Sequence, residues 1–170
     1  MESSVKNVKI SIRLEKNICS PIHTREKIVK RINDLYIIFY KHTPNLANVT
    51  GIRKITDVEN TVKIVENLFN IKSEYYEINC IMISVKSKRN IKLDKIPHIL
   101  DCKEYFFDYN QELFSGAFLK PVKKGKLPTI LLFHTSTFQI FGRNIEKMRY
   151  AYDLIQSILK KYENSLIPDQ

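Results

Sequence analysis

Glycine, proline and cysteine are all scarce, at 4, 6 and 3 of 170 residues, and tryptophan is absent. So little Gly and Pro excludes a flexible linker or a low-complexity tract. The cysteines, Cys19, Cys80 and Cys102, show no C-x-x-C spacing and read as reduced thiols. The histidines His23, His42, His98 and His134 are equally scattered, so no metal site or cofactor is expected. No apolar run approaches the roughly 18 residues needed to cross a bilayer. Met1-Glu2-Ser3-Ser4 lacks the charged-then-apolar layout of a secretion signal. A soluble intracellular protein is expected.

Signatures of catalysis are missing too. There is no G-x-G-x-x-G, no P-loop, no pair of carboxylates at catalytic spacing and no activated nucleophile. His134-Thr135-Ser136 has triad residue types, but it falls where a tight β-turn is expected. The chain is not expected to be an enzyme.

What is abundant is positive charge. With 28 Lys and Arg against 18 acids, the net charge is +10 and the pI about 9.5. That balance favours a polyanionic partner, most often nucleic acid. The chain is also rich in Lys, Ile, Asn and Tyr, as AT-rich genomes encode, and this bias raises the pI by itself.

The length suits one domain, or two half-domains sharing a sheet. Val5 to Leu14 alternates, with Val8, Ile10, Ile12 and Leu14 on one face and Asn7, Lys9, Ser11 and Arg13 on the other, as in a half-buried strand. Ser20-Pro21 has the form of a helix start, with Ile22, Ile28, Val29 and Ile32 as its stripe. Leu35–Tyr40 and Leu46–Gly51 read as strands across a turn at Pro44-Asn45. Thr56-x-x-Glu59 is a capping box before a helix over Asp57–Ile71, with the stripe Val58, Val62, Val65 and Phe69.

The order then recurs. Tyr76–Val85 is a strand, and Leu93–Leu100 a short helix limited by Pro97. Strands follow at Lys103–Asp108, Gly116–Lys120, Thr129–Phe133 and Phe138–Gly142. A long helix over Asn144–Tyr162 carries Met148, Ala151, Ile155, Ile158 and Tyr162 on one face. Asn7 echoes Asn79, Ile37-Ile38-Phe39 echoes Leu131-Leu132-Phe133, and Val49-Thr50-Gly51 echoes Ile140-Phe141-Gly142. Asn7 to Phe39 spans 32 residues and Asn79 to Phe133 spans 54, so the first half is short by 22, about one hairpin. The division is a shortened repeat, 1–72, followed by a fuller one, 73–170.

The second half carries Tyr109-Asn110-Gln111-Glu112-Leu113-Phe114-Ser115-Gly116, then a strand ending at Phe133 with Gly142 nine residues on. In this it resembles the TATA-box-binding protein family, well over Tyr76–Tyr162 and more weakly over Val5–Ile71. The resemblance implies an α+β saddle: two unequal repeats form one curved antiparallel sheet, with two long helices on its convex face. It implies that Phe114 and Phe133 wedge between base steps and that Asn79 reads minor-groove acceptors. Ile81, Phe138 and Ile140 would touch the groove floor and Lys120 a phosphate. Glu112 and Leu113 would meet a transcription factor IIB-like protein. Asn7, Phe39 and Thr50 are the corresponding positions of the first repeat.

The implied function is a general transcription initiation factor. It would bind and bend AT-rich double-stranded DNA and recruit the factor IIB-like protein and RNA polymerase. A minor groove shows mainly A·T-type acceptors, which suits an apolar sheet with asparagines. Aromatic wedges unstack base steps in exchange for a bent duplex. The chain departs from the family pattern with Ser115 for a proline, Asn110 for an acid, Lys9 for an apolar groove contact, and a first repeat without its outer hairpin. Such a divergent member fits a cellular nucleus, or the cytoplasmic factory of a large DNA virus. Two other readings follow from the same residues. One is a docking module that keeps the fold and has lost sequence-specific DNA binding; the other is an RNA-binding sheet, which would need exposed aromatics with Arg nearby.

Overall fold

The computed structural model describes residues 2–18, 26–88 and 90–164. Its strands are β1 (Glu2–Leu14), β2 (Lys27–Ile32), β3 (Leu35–Tyr40), β4 (Thr43–Ile52), β5 (Ser73–Lys86), β6 (Tyr105–Asp108), β7 (Gly116–Pro121), β8 (Thr129–Phe133) and β9 (Thr137–Gly142). Its helices are α1 (Val58–Phe69), α2 (Ile96–Ile99) and α3 (Ile145–Asn164). Hydrogen-bonded neighbours run β2-β3-β4-β1-β5-β9-β8-β7-β6 in one nine-stranded antiparallel sheet. The class is α+β, as the order of sequence patterns implies. The chain forms two compact units, one of Val5–Ile81 and one of Met82 onward together with the first residues of β1, so that β1 and β5 each pass from one into the other.

In the first unit the alternation along β1 is realised. Val8, Ile10, Ile12 and Leu14 are fully buried while Lys9 is exposed. Ile37, Phe39 and Val49 are buried with them, and the Phe39 ring meets Phe69 of α1 edge-on at 4.9 Å. Val58, Val62 and Val65 complete the helix side of this core. A 3-10 turn (Ile55–Asp57) precedes α1, and no side chain caps it, so the Thr56-x-x-Glu59 box is not used. The helix stops at Asn70, whose left-handed backbone (φ 52°) returns its N–H to the Glu66 carbonyl.

Two local expectations fail here. Of the helix expected from Ser20-Pro21, residues 19–25 lie outside the described residues, and Lys27–Ile32 is strand β2. Ile28, Val29 and Ile32 are β-branched and favour a pleated surface. Asn33 (φ 52°) and Asp34 then make a two-residue turn that pairs Ile32 with Leu35. The next turn sits at Lys41-His42 rather than Pro44-Asn45, because β4 already starts at Thr43. Further along, Val8 pairs with Ile52 and Ile10 with Val49, so Thr50 and Gly51 together face Lys9 in a bulge. Gly51 has φ +96°, and a Cβ there would lie 2.0 Å from the Asp34 carbonyl oxygen. Only glycine fits.

In the second unit Ala117, Leu119, Ile130, Leu132, Phe138 and Ile140 are fully buried on one face of β7–β9. Helix α3 packs on β9 and buries the expected Met148, Ala151, Ile155, Ile158 and Tyr162. The Tyr162 hydroxyl accepts the Lys92 N–H at 3.0 Å, which fixes the approach to α2. Buried Tyr105 donates to the Pro128 carbonyl at 2.8 Å and ties β6 to the foot of the β7–β8 turn. Burial, with minor help from Cys102 and Glu104, pushes the Tyr105 phenol well above its ordinary range. An acid with a raised folded pKa contributes stability that is complete below its unfolded pKa, here about 10, and lost above it. Tyr105→Phe is therefore expected to cost about 1–3 kcal/mol at neutral pH by orphaning the carbonyl. It should also flatten the loss of stability as pH rises past that value, as read by denaturant melts at both pH extremes.

The registers also define what the first unit lacks. Val29 pairs with Ile38 as Phe118 pairs with Leu131, which makes β2 the counterpart of β7. Strand β6 and helix α2 have no counterpart among the described residues. Among the described residues, what the first unit lacks is thus one strand and a short helix, rather than the hairpin expected from sequence.

Candidate nucleic-acid interface

Because side chains alternate along a strand, each buried row implies an opposite row on the face away from the helix. In the second unit that open face carries Phe118, Lys120, Phe133, Gln139 and Phe141, with Leu131 buried in their midst. Asp108, Phe118, Leu131 and Gln139 lie side by side across four strands. A turn delivers a fourth aromatic ring to this face. The Asn110 side-chain oxygen accepts the Glu112 N–H (3.1 Å), and the Asn110 carbonyl accepts the N–H groups of Leu113 (3.2 Å) and Phe114 (3.0 Å).

Phe114 consequently stacks on Phe118 at 5.6 Å and meets Phe133 edge-on at 6.0 Å. A Cβ on Gly116 would come within 2.8 Å of the Phe114 ring, so glycine here makes room for it. Phe114 remains 41% exposed, far above a core phenylalanine. Lys120 pairs with Asp108 and lies 5.2 Å over the Phe118 ring. Beyond it a groove of about 1040 Å³ runs past Phe118 and Phe141 with Lys124 and Arg143 at its rim, and no carboxylate lines it. The arrangement offers flat apolar rings flanked by cations. Such rings can enter a base stack, and such cations can neutralise phosphates.

The open face of the first unit is more polar. Asn7 Nδ2 donates to Thr50 Oγ1 at 2.9 Å, and Asn7 Oδ1 accepts the Gly51 N–H at 2.9 Å. Asn79 donates to Ser11, whose hydroxyl donates to Asn48 Oδ1 at 3.2 Å. Each amide keeps at least one N–H beyond these bonds, as reading acceptors on a groove floor requires. Tyr36 and Tyr40 are exposed on the same face, with Arg31 5.3 Å over the Tyr36 ring.

The residues expected from sequence divide accordingly. Phe114, Phe133 and Lys120 come together on one open face, and Asn7, Thr50 and Asn79 on the other unit's. Glu112 and Leu113 lie on the exposed turn, Leu113 at 83% exposure. Four expected groove contacts are corrected. Phe39, Ile81, Phe138 and Ile140 are all fully buried, so none can touch a ligand at the sheet surface. Phe39, Phe138 and Ile140 are each one residue out of phase with the open face, whereas Ile81 has the phase of Asn79 on β5 and is covered there. The register gives the open positions instead: Thr50 aligns with Phe141, Asn48 with Gln139, and Tyr40 with Phe133. Phe118, Tyr40, Asn48, Gln139 and Phe141 are the residues that the sequence reading misses. The polar Gln139 between two apolar neighbours was the available signal. Position 25, the counterpart of Phe114, lies outside the described residues. His134-Thr135-Ser136 is indeed a turn, with Ser136 at φ 61°. Among the described residues no helix is long and apolar enough to cross a membrane, and no acid, His or Cys cluster could hold a metal.

The solved structure of Methanococcus jannaschii TBP superposes with a TM-score of 0.69, covering 94% of this chain and 99% of that one at 16% identity. The chain has a TBP-like fold. At that identity the likeness is one of fold. M. kandleri SerRS in complex with A. aeolicus tRNASec matches at 10% identity and a TM-score of 0.43, over 99% of this chain and 32% of that one. The heterotetrameric sarcosine oxidase of Corynebacterium sp. U-96 matches at 10% identity and a TM-score of 0.34, over 94% and 83%. Both scores are too low to bear on the fold. No family model and no curated protein matches the sequence.

Proposed function

We propose that this TBP-like chain is a promoter-recognition factor that bends AT-rich duplex DNA through the minor groove, acting by binding and not by catalysis. The observation that carries the reading is the cluster of Phe114, Phe118 and Phe133. A soluble domain gains nothing by leaving stacked phenylalanines on an open sheet beside lysine, whereas a wedge requires it. The asparagines of the first unit supply donors to the groove floor, and Lys120, Lys124 and Arg143 supply countercharge. Easily deformed TA steps lower the cost of the kink, so preference for AT-rich sequence arises partly from shape.

The test is a fluorescence-energy-transfer bending titration on AT-rich and GC-rich duplexes at fixed salt, with and without a factor IIB-like protein. Bending confined to the AT-rich duplex is expected. Salt-sensitive association with neither bend nor preference would replace this reading with the second one, a docking platform that keeps the fold. The uneven aromatic endowment favours that second reading: where one unit has Phe118, the other has Val29.

In either reading the Asn110–Phe114 turn is the surface offered to a factor IIB-like protein, and through it to RNA polymerase. Glu112→Arg is expected to leave duplex affinity unchanged and weaken ternary-complex formation about tenfold in a gel-shift titration, a loss of about 1.4 kcal/mol. Leu113 is the apolar anchor of the same contact, and unchanged ternary affinity in Glu112→Arg would move the partner elsewhere.

A further inference from the structure

A second groove lies behind the β7–β8 turn, in the second unit and off its open face. It encloses about 440 Å³ and adjoins the larger groove, with which it shares Pro121, Val122, Lys126, Leu127 and Lys147, while none of the open face's own side chains lines it. Its floor is apolar, made by Pro121, Val122 and Leu127, and its rim carries Lys103, Lys123, Lys126 and Lys147. Glu104 is its sole carboxylate, and that group already accepts the Tyr150 hydroxyl. None of the four lysines has an ion pair among the described residues. Val122 is 58% exposed in the midst of them.

We propose that this groove docks an acidic segment of a partner protein that carries an apolar anchor. Four unpaired ammonium groups around one site call for negative charge. An exposed valine between them calls for an apolar side chain, which a phosphate backbone does not have. An extended peptide presents charged and apolar side chains in alternation, and so matches a basic rim and an apolar floor together. The volume is that of a site for a few side chains. The groove shares neither the phenylalanines of the open face nor Lys120, Lys124 and Arg143, so the contacts proposed for DNA stay free when the peptide is bound.

Fluorescence anisotropy of the full chain with a labelled peptide of alternating Asp and Leu provides the probe, and the same peptide with Asn for Asp provides the control. Saturable binding of the acidic peptide alone is expected, retained when AT-rich duplex is present at saturation. Val122→Asp is expected to weaken it about tenfold or more, and Lys123→Glu about threefold, since a rim charge is worth less than a buried anchor. Circular dichroism of both variants checks that the exposed turn has not cost the fold. Displacement of the peptide by duplex would overturn the proposal and make the groove a path for DNA. Equal binding of the Asn peptide, or indifference to both substitutions, would overturn it as well. The first titration contains no DNA, so its outcome stands apart from whether the chain bends a duplex.

Discussion

Phe114→Ala combined with Phe133→Ala is expected to abolish bending of AT-rich duplex while leaving the fold intact. Phe114 is held on the surface by the Asn110 turn and by the space above Gly116, so its removal opens no cavity in the helix-packed core. Each ring that enters a base stack gains about 1.5–3 kcal/mol from burial. This gain opposes an unstacking cost of a few kcal/mol per step. Without both rings the kink has no support, and affinity falls by about a hundredfold or more, which corresponds to about 2.8 kcal/mol. Phe118 alone cannot replace them, since its ring lies in the stack that they complete. Full bending by the double variant, measured by energy transfer across the duplex, would show that these rings are not the wedges.

Phe39→Ala and Tyr40→Ala are adjacent substitutions with opposite expected outcomes. Phe39 is fully buried against Phe69 of α1, and truncating such a ring costs about 3–5 kcal/mol. Against a typical domain stability of about 5–15 kcal/mol, that loss lowers the denaturation midpoint severely. Tyr40 is 45% exposed, and its removal should cost under about 1 kcal/mol of stability. Yet Tyr40 is the register counterpart of Phe133, so Tyr40→Ala should weaken duplex affinity and reduce the bend at that end. A destabilised Tyr40→Ala, or a stable Phe39→Ala with impaired DNA binding, would reverse the assignment of the two faces.

The contrast between those neighbours shows what was legible in the sequence. Strand periodicity identified the buried row of β1 and the apolar stripes of α1 and α3, because one-sided burial writes itself into alternation and helical spacing. The motif around Phe114 located the aromatic cluster, because its turn, wedge and glycine are close in sequence. Phase was harder. The family resemblance puts Phe39, Phe138 and Ile140 on the ligand face, and a slip of one residue in matching them moves a side chain to the opposite face. The polar row of the first unit joins Asn7 to Thr50, Ser11 to Asn48 and Asn79 to Ser11 across long chain separations, so only pairing reveals it. Residues Lys27–Ile32 resembled a helix because their β-branched spacing satisfies either period over six positions. The Asn33-Asp34 turn decides between them, and it is a tertiary commitment as much as a local one.

Strand β2 ends the sheet order, with no further strand beside it among the described residues. In the other unit the matching strand, β7, is shielded by β6. A naked outer strand invites a second molecule to continue the hydrogen-bond ladder, and from there a fibre. Lys27, Lys30 and Arg31 put like charges on every copy of that border, so two such borders brought together repel each other. Among the described residues that border is thus insulated by charge and not by a covering strand, and charge insulates better in dilute salt than in concentrated salt. Association of two copies through that border is therefore expected to rise with ionic strength.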